Sequence, residues 1–258
     1  MRENGGGAGE AGPRRGTPGR RRALLLVLPA ALALISGCDD GTAGSPTRPA
    51  ATSAAATPNG NGVDKLSGAE ILKRATKASR AATSVRMRGR FPTGGRPMAI
   101  DIRAAGKGSA YGDITMNGQR IRLVRIGSTA YLKGDTAFWK SVGGQDAARM
   151  FSGKYLKVPA GNKDFRDLMS LTLTSKVFSE ILRPEGRVTK GERTRINGRA
   201  AIALGDGTGG SLYVATEGEP HVLRLKTGKE VLDFLAYNER IAVRRPPSNR
   251  VISVPAFK

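Results

Sequence analysis

The chain has 258 residues and a net charge of +22, from 43 Lys and Arg against 21 Asp and Glu. It contains one cysteine, Cys38, and one histidine, His221. One thiol excludes an internal disulfide, and a metal centre built from Cys and His lacks ligands.

The first element in chain order is apolar. Residues 23–35 hold 13 consecutive apolar or small residues around Pro29, preceded by Arg14, Arg15, Arg20, Arg21 and Arg22. A helix of that length reaches about 20 Å, short of the ~30 Å hydrocarbon core that a span must cross. A basic stretch, a short apolar run and then small residues form the pattern of an export signal. Its end, Ile35-Ser36-Gly37-Cys38, resembles the bacterial lipobox, with Ile in place of the usual Leu. That resemblance implies diacylglyceryl transfer to the Cys38 sulfur, cleavage before it, and an acylated (palmitate-bearing) Cys38 as the first mature residue. The expected location is the extracytoplasmic face of the cell membrane. Arg21-Arg22-Ala23-Leu24-Leu25 also partly resembles a twin-arginine signal, but that pattern is loose and the general export route is favoured.

Loss of residues 1–37 would remove six arginines and two glutamates, leaving 221 residues and a charge of +18. Residues 39–63, "DDGTAGSPTRPAATSAAATPNGNGV", have no large apolar side chain before Val63. Such a composition cannot bury enough surface to offset its ordering entropy. Residues 38–63 are therefore expected to be a lipidated Cys and a tether spanning roughly 25–30 Å, and residues 64–258 one domain.

That domain is expected to open with a helix. Ser67 and Glu70 fit a capping box, and Ile71, Leu72, Ala75, Ala78 and Ala82 follow helical spacing. From Val85 the period changes to two. Met87 alternates with Arg86 and Arg88, and Met98, Ile100 and Ile102 alternate with Ala99, Asp101 and Arg103. This predicts an antiparallel sheet with one apolar and one wet face. Asn117-Gly118 and Asn197-Gly198 are expected to make type I′ hairpin turns. Further predicted strands are "TAYLKG", "KYLKV", "SLYVAT", "HVLRLKT", "EVLDFLAY" and "RIAVRR". Between them "GQDAARMF", "KDFRDLMSLTL" and "TSKVFSEIL" have helical spacing, ended by Pro184 and Gly186. The fold class expected is α+β, with about 10–11 strands and the helices covering one face of a curved sheet.

No catalytic constellation assembles. His221 has no second histidine beside it, no Ser lies in a G-x-S-x-G elbow, and "LGDGTGGSL" (204–212) lacks the Lys-Ser/Thr and helix of a phosphate-cradling loop. It is expected to be a hairpin turn. The basic residues lie on polar strand faces without interleaved aromatics, which argues against nucleic-acid binding. No enzyme activity, metal or cofactor is expected.

Three stretches carry a resemblance across the chain beyond the tether. They are "ILKRATKASRAATSVRMRGRF", "AYLKGDTAFWKSVGG" with "AARMFSGKYLKVP", and "EVLDFLAYNERIAVRRPPSNRVISV". They resemble the actinobacterial LppX/LprG-type lipoproteins, whose fold is similar to the lipoprotein carrier LolA. The resemblance implies a half-barrel of antiparallel strands, helices over its concave face, and an apolar cavity that holds lipid or glycolipid acyl chains. On that reading Met98, Ile100, Ile102, Ile114, Met116, Leu123, Val214, Leu223 and Leu225 would wall the cavity. Leu168, Met169, Phe178 and Leu182 would line a helical lid. The protein would act as a monomer held to the membrane by its lipid anchor. The alternative is a solid, non-enzymatic envelope module that binds a protein or an anionic polymer through its basic face.

Overall fold

A computed structural model of the chain describes residues 60–93, 96–106 and 108–253. The export signal, Cys38 and nearly all of the tether lie outside the described residues.

Alternation in the sequence becomes two antiparallel meanders. The first runs through β1 (Ser84–Thr93), β2 (Arg96–Ala105), β3 (Ser109–Met116), β4 (Gln119–Ile126), β5 (Thr129–Gly134) and β6 (Tyr155–Pro159). The second comprises β7 (Thr189–Ile196), β8 (Arg199–Gly205), β9 (Gly210–Ala215), β10 (Val222–Thr227) and β11 (Glu230–Leu235). β11 pairs with β1, so the meanders join into one sheet, with β12 (Val251–Ser253) as the edge strand beyond β6. The order is β12-β6-β5-β4-β3-β2-β1-β11-β10-β9-β8-β7, a curved sheet that remains open. It has twelve strands, not the 10–11 expected. Both Asn-Gly turns form: Asn117 and Gly118 have φ of 52° and 75°, and Asn197 and Gly198 of 49° and 81°, the left-handed pair a type I′ turn requires. The glycine-rich loop is also a hairpin, joining β8 to β9.

Two expectations at the C-terminus fail. β12 runs parallel to β6, so the sheet is mixed. "RIAVRR" forms no strand, and its residues belong to no regular element. Geometry explains both outcomes. From β11 to β12 the chain must pass seven strand spacings, about 34 Å at ~4.8 Å each. The 15 residues 236–250 can do this only when largely extended, since a fully stretched chain reaches ~3.3–3.6 Å per residue. Ile241 and Val243 are half-buried along this strap, and Pro246 is buried.

Among the described residues the four α-helices pack on one face of the sheet. α1 (Gly68–Ala81) is capped by Ser67, whose Oγ accepts from the Glu70 N–H at 3.3 Å. Ile71 and Ala75 of the anticipated stripe are buried, Leu72, Ala78 and Ala82 are half-buried, and Ser79 joins the buried line. Ser79 is tolerated because its Oγ accepts from the Val222 N–H at 3.0 Å. α2 (Thr136–Phe151) starts earlier than sequence periodicity suggests, because Asp135 caps it and also accepts from the Arg120 N–H at 2.8 Å. It kinks at Gly143 and Gly144, where φ of 69° at Gly144 suits glycine. α2 buries Phe138, Trp139 and Phe151, with Trp139 in contact with both phenyl rings at 4.9 and 4.7 Å. α3 (Arg166–Ser170) and α4 (Thr174–Ile181) follow β6 and lead back to the second meander. Phe178 of α4 stands 5.3 Å from Phe234 of β11, ring centre to ring centre.

Candidate functional site

Sheet register places one uninterrupted apolar row beneath the helices. Its partners are Leu204–Leu212–Leu225–Leu232 across β8 to β11, then Gly89, Ile100, Ile114, Ile121 and Gly134 across β1 to β5. The row begins at the leucines under α4 and ends where the Phe138 ring fills the space a Gly134 side chain would need.

At the leucine end the helices leave a cleft of about 400 Å³, within the ~300–1,000 Å³ usual for small-molecule sites. Leu204, Leu212 and Leu225 make its floor, with Leu72 of α1, Ile181 and Leu182 at the C-terminal end of α4, and Val188 as walls. Glu180, Arg183, Glu185, Asp206 and Thr208 form a polar rim. Thr208 donates to Asp206 from both its N–H (3.1 Å) and its hydroxyl (2.6 Å), which holds the Asp206 carboxyl below its ordinary range. An apolar floor with a charged mouth accepts a chain-like apolar group and keeps a polar end in water.

Of the residues expected to wall a cavity, twelve share the helix-covered face. Met98, Ile100, Ile102, Ile114, Leu123, Leu168, Met169, Phe178, Leu182 and Val214 are buried in one core, and Met116 and Leu225 pack against it. Only Leu182 and Leu225 also line the cleft. Leu223 is a correction: it lies on the opposite face with Ile196, Ala201, Ala215 and Tyr213. The cause is a bulge in the β9–β10 pairing between Val222 and Arg224, which breaks the period of two. Leu72, Leu204 and Leu212 were absent from the expected set. Pairing β8 with β9 about the turn at 206–209 brings Leu204 and Leu212 into register, and that signal was available.

The opposite face is strongly charged. Arg86 clasps Asp101 with two bonds (2.7 and 2.6 Å), Arg122 clasps Asp113 (2.8 and 3.1 Å), and Arg224 clasps Asp233 (2.5 and 3.0 Å). The hydrogen bonds from Arg86 hold the Asp101 carboxyl low against the effect of its partial burial. Arg88, Arg90 and Lys229 line a shallow hollow on this face beside the single carboxylate of Asp233.

His221 is buried, stacked on Tyr237 at 4.1 Å and 5°. Burial, then the charge of Arg199, pushes its pKa below the ordinary value. The Tyr237 hydroxyl donates to the Val222 carbonyl at 2.7 Å, and burial pushes its pKa strongly upward. This pair closes the core and faces no cleft described above. Among the described residues no group of His, Cys, Asp and Glu is arranged to hold a metal ion, and no helix is long and apolar enough to cross a membrane.

No protein-family profile matches the chain, and no curated protein does. Among solved structures the chain is similar to LprF from Mycobacterium bovis, at 14% identity and a TM-score of 0.49, covering 69% of this chain and 96% of that one. It is also similar to an uncharacterized conserved protein from Thermus thermophilus, at 12% identity and a TM-score of 0.33, covering 72% and 98%.

Proposed function

We propose that this protein is a non-enzymatic envelope lipoprotein, anchored through Cys38, that binds an acyl chain of a lipid or glycolipid in the cleft beside α4. The observation that carries the reading is the cleft at the end of α4, floored by the in-register leucines Leu204, Leu212 and Leu225, of which Leu225 is half-buried, and rimmed by charge. The lipobox-like Ile35-Ser36-Gly37-Cys38 and the resemblance to LppX/LprG-type sequences support the same reading. Residues 38–63 serve as the tether, and the remainder as the binding domain.

Binding of a fluorescent fatty acid tests this. Leu225→Trp should fill the cleft and weaken binding at least tenfold while the protein still melts cooperatively. Equal binding by wild type and variant would reject the cleft as the site. A second reading is favoured by one observation, the Arg88–Arg90–Lys229 hollow on the opposite face: binding of an anionic polymer there. Under that reading Leu225→Trp changes no ligand affinity, and added salt weakens polymer binding steeply.

A further inference from the structure

Arg86, Arg122 and Arg224 of the opposite face each clasp a carboxylate, but Arg125 of β4, which points toward the helices, does not. Its Nε donates to the Gly127 carbonyl at 3.0 Å and its Nη1 to the Thr172 hydroxyl at 2.7 Å. Thr172 is fully buried and donates in turn to the Met169 carbonyl at 2.6 Å, so its oxygen is fixed to receive the guanidinium. Gly108 has no side chain where the guanidinium lies, since a Cβ there would stand 3.3 Å from both Nε and Nη2. Neutral partners therefore hold Arg125 in place and leave its charge uncompensated. Among the described residues it has no ion pair. Three of its five N–H groups remain available.

Arg125 opens into a hollow of about 390 Å³ between the β4–β5 turn, the loop after β6, α3 and the start of α4. Arg166 and Lys176 line the same hollow with Ser128, Asn162 and Ser170, and no carboxylate lines it among the described residues. Partial burial lowers the Arg125 pKa, consistent with a dehydrated positive charge. A half-buried cation with no counter-charge is costly unless something anionic completes it. Three cations exceed what one carboxylate needs and match a phosphate, with its charge of about −1.5 to −2 and its geometry suited to a guanidinium fork.

We propose that Arg125, Arg166 and Lys176 form a phosphate-binding site, for a lipid phosphate head group or a free phosphate. It lies at the opposite end of α4 from the apolar cleft and stands whether or not the cleft holds an acyl chain.

Calorimetric titration of the full-length protein in a non-ionic detergent tests it, with inorganic phosphate, dihexanoyl phosphatidic acid and, as the phosphate-free control, dihexanoylglycerol. At least one phosphate-bearing compound should bind saturably. Arg125→Gln should weaken that binding roughly ten- to hundredfold, the loss of charged hydrogen bonds. Arg166→Gln and Lys176→Gln, both at exposed positions, should weaken it several-fold each and carry the test if the Arg125 variant does not fold. Competition by inorganic phosphate identifies the free anion as a sufficient ligand, and its failure to compete assigns the site to a lipid head group. The proposal is overturned if neither phosphate compound binds. It is equally overturned if phosphatidic acid and dihexanoylglycerol bind alike, or if the three variants leave affinity unchanged. Failure of dihexanoylglycerol to bind bears on the apolar cleft alone.

Discussion

Single residues in this fold are placed by partners that charge and burial dictate. His221 is the clearest case, because it is the only group of its kind and is buried against Tyr237 with Arg199 nearby and Glu219 as a weaker opposing influence. Its folded-state pKa is depressed, so between that value and about 6.5 the unfolded chain binds more protons. Stability from this group is complete above about pH 6.5 and declines as pH falls through the window below it. His221→Phe keeps a ring against Tyr237 and removes the titration. Its melting temperature should therefore change less between about pH 7.5 and pH 5 than that of wild type, and parallel curves would show that His221 does not titrate on unfolding. The sequence shows that no second ligand or nucleophile accompanies it. It does not reveal the stacking partner, which lies 16 positions away across two strands.

At the scale of elements, local signals succeed where one residue decides the geometry. The Asn-Gly turns and the Ser67 cap are of this kind. Asp135 is a stronger cap, because one carboxylate satisfies the Phe138 N–H at the start of α2 and the Arg120 N–H at the start of β4. Loss of a cap costs about 0.5–2 kcal/mol, and Asp135→Ala should fall in the upper half of that range, against the lower half for Ser67→Ala. Urea unfolding of both variants checks the order, and equal losses would mean that the link to β4 contributes nothing. "DTAFWKSVGG" conceals a helix because β-branched, aromatic and glycine residues blur its periodicity, so α2 was legible only in its second half. "RIAVRR" errs in the other direction: alternation gives it a strand's pattern, but the distance to β12 leaves it no neighbour to pair with. Leu223 fails for a third reason, since a bulge is invisible to a strict period of two.

For the whole molecule, the α+β class and the helix-covered face were legible, because alternating strands state which side is apolar. The cleft was not. Its position depends on where α4 stops over the row Leu204–Leu212–Leu225, a tertiary relation that no local pattern encodes. Most of the residues anticipated as cavity wall are instead core, with Ile102 and Leu123 fully buried. Cys38→Ala should abolish incorporation of radiolabelled palmitate and release the protein from the membrane fraction, and persistent labelling would exclude Cys38 as the acceptor. The central claim, an acyl chain in the cleft, is tested most directly by native mass spectrometry of the protein purified from bacteria. Wild type should retain a lipid-sized adduct, and Leu225→Trp should lose it while remaining folded. Bare protein in both samples, or the same adduct in both, would contradict the account.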